Sequence, residues 1–159
     1  MDIHVMIFIG FGFLMVFLKT HSWSAIGFSY MAAAWAMQLC ILFQGWWKCI
    51  IVKGWGKKID ITMIAIIDAD FGAAACLISM GALLGKCTLP QLMLIVTIEA
   101  FFFTLNCTLL LEFWKCMDIG GAMTIHMFGA YFGLAASYFY QPKKAIEDVN
   151  GRNGGTYNS

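Results

Sequence analysis

The run from Asp118 to Tyr140, DIGGAMTIHMFGAYFGLAASYFY, holds the residues whose types and spacing are best suited to chemistry. It is apolar, rich in small residues and long enough to cross a bilayer, with a carboxylate at its start and a histidine further in. Residues four apart on a helix stack on one face, so Asp118, Ala122, His126, Ala130 and Leu134 form one slowly drifting stripe. At 1.5 Å rise per residue, Asp118 and His126 lie about 12 Å apart along the axis. A charge near a mouth and an imidazole towards mid-depth suggest a route for a small polar solute. An imidazole can serve there as a proton partner or as a neutral hydrogen-bonding partner. The plainer reading is a histidine bonded to a neighbouring helix.

Asp118 is itself sufficiently explained as an N-cap, since Asp accepts from the first backbone N–H groups and suits the positive end of the helix dipole. A capping carboxylate at a pore mouth can also concentrate cations, so the two readings are compatible. Gly120, Gly121, Gly129 and Gly133 add small surface, which lets a neighbouring backbone or a narrow pathway come close. Elsewhere, Asp68 and Asp70 are two residues apart and point in different directions on a helix, so at most one can face a given pathway. Glu99 sits well inside its segment and has to be paired, protonated or facing water. A charged side chain at mid-bilayer costs roughly 2.5 to 3.5 kcal/mol on insertion scales. Phe71 taken alone reads as packing.

The elements that position these residues follow from composition. The chain has 159 residues, of which 61% are hydrophobic and 12% charged, with a mean hydropathy of +0.78. Ordinary soluble domains carry about 25% charged residues, so this is an integral membrane protein. A net charge of +1 gives no steering towards nucleic acid. The expected fold class is all-α, a multi-pass transmembrane helical bundle of about five spans, over 3–18, 23–47, 61–84, 89–114 and 118–140. Pro90 suits the first turn of the fourth helix. Residues 1–141 form the membrane region, and 142–159, polar and rich in Gly and Asn, form a loop or tail. No basic n-region or small-residue cleavage site marks the N-terminus as a signal peptide. The ten Lys and Arg residues divide five and five between the two sides, so charge bias gives no orientation.

The six cysteines form no CxxC pair and read as small hydrophobes, leaving no metal site in the expectation. A membrane haem protein needs histidine pairs at matching depth. Of three histidines, His4 and His21 lie near segment ends, so no cofactor and no enzymatic activity are expected.

Longer stretches carry a resemblance. DIGGAMTIHMFGAYFGL is similar to the signature helix of Rh glycoproteins, a branch of the ammonium transporter family. HVMIFIGFGFLMVFLK, ADFGAAACLISMGALLGK and PQLMLIVTIEAFFFTLN support it in the family's order and spacing, covering nearly the whole chain. The resemblance implies a bundle of eleven or twelve helices, usually a homotrimer in the plasma membrane, with one hydrophobic pore per protomer. It implies that ammonium is drawn to an outer vestibule, passes a phenylalanine gate, loses a proton and crosses as ammonia past two histidines, with carbon dioxide a further candidate solute. By motif, His126 stands at the first of those histidines, Asp118 near the outer end of the same helix, and Phe71 at the external gate. The family topology makes the 48–58 loop extracellular and the Lys143 tail cytoplasmic. Five segments amount to most of one half of that fold, and therefore to one wall of the pore. The second histidine and the second gate phenylalanine have no counterpart here. The competing expectation is a non-conducting interaction fragment that associates with full-length protomers.

Overall fold

The computed structural model describes residues 2–14, 22–54 and 58–140. The described residues form helices and connecting turns, with no strand among them. We number the helices α1 (Asp2–Leu14), α2 (Trp23–Lys53), α3 (Met63–Leu83), α4 (Leu89–Phe113) and α5 (Ile119–Phe139). The last four are long and apolar enough to cross a membrane; α1 is shorter within the described residues. The turn expected after the first segment and the tail expected over 142–159 lie outside them.

Helix α3 is the hub, packing against α2, α4 and α5 with α1 also touching it. Over half of its most apolar stretch is buried, against 17% of that of α5, so one helix is enclosed while the other keeps an open face. Small side chains let α3 take that position. Ala69, Ala73 and Ala75 are fully buried in it, facing Ala32, Ala33, Ala36 and Cys40 of α2. Short side chains allow close backbone approach, and dispersion over that contact replaces the hydrophobic drive that lipid does not supply. Gly72 marks the tightest point between α2, α3 and α4. A Cβ there would fall 2.5 Å from Cys40 Sγ and 3.1 Å from Phe103.

Helix ends are set by local polar groups. Thr62 caps α3 by accepting from the Ala65 N–H at 3.2 Å. Gln91 Oε1 accepts from the Thr88 N–H at 3.0 Å, and Pro90 lies in the first turn of α4. Helix α2 continues beyond Trp47, through a wider π-type turn at Cys49–Lys53 that ends where Gly54 takes φ 87°. The aromatic pair Trp46–Trp47 at that end packs on Phe101 of α4, so these indoles also serve helix contact.

Candidate functional site

Asp118 is positioned by an unusual helix start. Gly120 and Gly121 take φ of 72° and 68°, the left-handed region that glycine enters without a Cβ penalty. This double turn folds the chain back so that the Asp118 carboxylate reaches residues five and six positions ahead. It accepts from the Met123 N–H at 3.1 Å, the Thr124 N–H at 2.8 Å and the Thr124 hydroxyl at 2.7 Å. The cap is therefore present in the structure, with one charged group satisfying several orphan donors of α5. The following Ala122–Met127 stretch is a π-type turn, which widens the helix around Thr124 and His126.

His126 lies on the exposed side of α5. Ala122, Ala130 and Leu134 are exposed with it, so the stripe from Ala122 onward is left uncovered by the described residues. The imidazole has no hydrogen-bond partner among the described residues. The opposite side is tied down: a Cβ on Gly129 would fall 2.8 Å from the Ala75 carbonyl, and one on Gly133 would fall 2.8 Å from Ser79 Cα. These glycines thus serve close approach of a backbone, that of α3.

Phe71 is half-buried and borders a cavity of about 100 Å³, together with Phe103, Thr124 and Ile125. The same cavity is lined by Gln44, Lys48, Asp68 and Glu112. Lys48 Nζ stands 3.2 Å from Glu112 and 3.8 Å from Asp68, and Gln44 donates to Asp68 at 3.3 Å. The helices bring Phe71 and Asp118 to one locality, since Thr124 both lines the cavity and binds the carboxylate. His126 does not line that cavity. Its neighbours Met123 and Met127 instead edge a separate surface groove with Tyr131 and Phe132.

The two α3 aspartates diverge. Asp68 faces the Phe71 cavity, whereas Asp70 is 2% exposed and faces α1. There His4 Nδ1 comes within 2.8 Å of its carboxylate, an ion pair when the imidazole is protonated. Glu99 is fully buried and meets Ser79 of α3. Reading the sequence did not bring out Thr124, Lys48 or Ser79. The adjacent Gly120-Gly121 pair was the available signal for Thr124, because two left-handed residues extend a carboxylate's reach beyond ordinary capping spacing.

The sequence profile of the Ammonium Transporter Family matches residues 1–159. The chain is 45% identical over 159 residues to ammonium transporter Rh type B of Bos taurus, covering 99% of this chain and 34% of that protein. It is 42% identical to ammonium transporter Rh type C of Gasterosteus aculeatus, covering 99% of this chain and 32% of that one. It thus spans about a third of the length of these relatives. Among solved structures, the Rh50 protein of Nitrosomonas europaea, described as one of the Rhesus protein family of channels, superposes with a TM-score of 0.69 at 33% identity. That match covers 86% of this chain and 36% of the other. With its apolar helices and hub-like α3, the chain belongs to the ammonium transporter family, on its Rh branch.

Proposed function

We propose that this chain supplies one wall of a pathway that takes up ammonium at an outer mouth and passes it across the membrane as ammonia. The observation that carries the reading is the open stripe of α5. A polar imidazole with no hydrogen-bond partner among the described residues sits part-way along an apolar span, on an exposed face while the other face is pinned to α3. Polar side chains at membrane depth are costly in hydrocarbon and characteristically face a cavity or another protein segment. Across the stripe we place a second wall, in keeping with transporters whose sites lie between related halves.

Asp118, Phe71 and His126 take successive parts. Asp118 holds the start of α5 open at the mouth and adds negative charge there. Phe71, flanked by Asp68, Glu112 and the internal cation Lys48, forms the constriction below it. His126 then offers a neutral nitrogen to an uncharged solute. Ammonia fits this role better than carbon dioxide, because it both donates and accepts hydrogen bonds. Ammonium itself would carry a Born cost of tens of kcal/mol into a dry conduit, so it gives its proton to water at the mouth and enters as ammonia. The assembly is a homotrimer in the plasma membrane, with residues 1–141 in the bilayer and 142–159 on the cytoplasmic side. The test is methylammonium uptake by the complete gene product in a host without its own ammonium transporters. His126→Ala lowers uptake at equal membrane expression; uptake unchanged by that substitution refutes the role.

A further inference from the structure

The buried acid Glu99 lies outside the pathway just described, yet it joins the three helices that build it. Its carboxyl on α4 meets the Ser79 hydroxyl on α3, and the same hydroxyl oxygen lies 2.8 Å from the Gly129 carbonyl on α5. Both Glu99 and Ser79 are fully buried.

Counting hydrogens decides how this chain of contacts works. A serine hydroxyl has one proton to give, and a backbone carbonyl can only accept. If Ser79 serves the Gly129 carbonyl, its contact with Glu99 needs a proton from the other side. The carboxyl is the one group of the three that can change from acceptor to donor, by carrying a proton. The surroundings point the same way. Its second oxygen, Oε2, is buried with no N–H or O–H donor among the described residues, and beyond Ser79 the carboxyl meets only the weakly donating Cys76 thiol, a severe burden for a carboxylate and a milder one for the carbonyl oxygen of a neutral acid. No cation pairs with it among the described residues; the other ionisable groups that face it are the thiols of Cys76 and Cys40. An uncompensated charge buried between helices would instead pull water or a counter-ion into the packing.

We infer that Glu99 is kept as a neutral carboxylic acid that donates to Ser79, which in turn donates to the Gly129 carbonyl and fixes α5, and with it His126, against α3. Glu99 is thereby a positioning residue: it touches no solute and acts through Ser79 and Gly129. The site of action is specific. Gly129 stands three residues beyond His126, where an added Cβ would fall 2.8 Å from the Ala75 carbonyl, so a loosened contact there displaces the ring along the stripe.

The experiment is infrared difference spectroscopy on the complete gene product in proteoliposomes, wild type against Glu99→Gln, with glutamate carboxyls carbon-13 labelled. A protonated carboxylic-acid C=O band present in the wild type at neutral pH and absent from the Gln variant is the expected result. A difference spectrum showing only ionised carboxylate bands overturns the inference. Uptake supplies the second arm, and this arm alone rests on the transport reading above. A Gln side chain can donate its amide N–H to Ser79 as the acid does, so E99Q keeps uptake within about twofold of wild type. Glu99→Leu, which fills the space but donates nothing, lowers it tenfold or more, and Ser79→Ala follows Glu99→Leu. Equal loss in Glu99→Gln and Glu99→Leu at matched folded amounts overturns the donor role. Because the infrared band is read without any flux, its failure leaves the His126 pathway standing, and failure of the pathway leaves the band to be tested.

Discussion

Substituting glycine by alanine at chosen points probes the α3–α5 contact, because the same chemical change should have opposite signs at different places. In a helix interior Gly→Ala ordinarily stabilises by about 0.5 to 1 kcal/mol, through lost freedom of the unfolded chain and better helix propensity. Gly27 lies on α2 with nothing within 4 Å of the methyl that alanine would add, so Gly27→Ala should show that gain in full. At Gly129 the new methyl falls 2.8 Å from the Ala75 carbonyl and 3.2 Å from Ile78 Cβ. At Gly133 it falls 2.8 Å from Ser79 Cα and 3.1 Å from the Ser79 carbonyl. These nearest obstacles are backbone atoms of a packed helix, which cannot rotate away. Overpacking of this kind costs about 1 to 3 kcal/mol, against a propensity gain of about 0.5 to 1, so each variant should show a net loss centred on about 1 kcal/mol and reaching about 2.5. The assay is thermal unfolding of the complete protein in detergent, with Gly27→Ala as the internal reference. The expected order is Gly27→Ala at or above wild type and both α5 variants below it. Gly129→Ala melting level with Gly27→Ala would show that α3 and α5 are not in backbone contact, and the packing argument would fail.

Other substitutions test the remaining pieces. Asp118→Ala removes the acceptor for two backbone N–H groups and a hydroxyl, and should cost about 0.5 to 2 kcal/mol, the usual range for a lost cap; faster amide exchange at Met123 and Thr124 reports it, and unchanged protection contradicts it. Phe71→Ala enlarges the cavity it shares with Thr124 and Ile125, so uptake of a bulkier amine such as dimethylammonium should rise relative to methylammonium; an unchanged ratio removes Phe71 from the constriction. Outside the membrane segments, the hydrogen bond and charge of Lys53 hold the Asp60 carboxyl below its ordinary range. A carboxyl depressed in the folded state contributes above its unfolded pKa and loses that contribution as pH falls through the folded value. The carboxyl carbon-13 resonance of Asp60 should therefore titrate below the ordinary carboxylate range, and Lys53→Met should return it to that range; a titration unchanged by that substitution contradicts the pairing.

Much of the framework was legible in the residues themselves. Composition alone required membrane-spanning helices, and the Pro90 helix start follows from backbone chemistry that needs no tertiary partner. The stripe through Ala122, His126, Ala130 and Leu134 could be drawn because helical spacing fixes which residues share a face. What periodicity could not tell was what covers a face, since lipid, a solute and a neighbouring helix all suit apolar residues. Hence the four glycines of α5 read as room for either a backbone or a pathway, whereas two of them meet α3 and two build the turn that lets Asp118 reach Thr124. In the same way the separation of Asp68 from Asp70 followed from the helix, but their destinations, a cavity beside Lys48 and a burial site against His4, depend on how α1 and α2 dock. Glu99 demanded an explanation from its depth alone; its partner Ser79, twenty residues earlier, lies on a different helix and carries no local signal.

A cryo-EM map of the complete gene product in lipid nanodiscs would show what the imidazole of His126 faces. The expected map has a narrow, protein-lined lumen beside the ring, with another segment of protein opposite the Ala122–Leu134 stripe. Acyl-chain density packed against the imidazole, with no lumen beside α5, would contradict it.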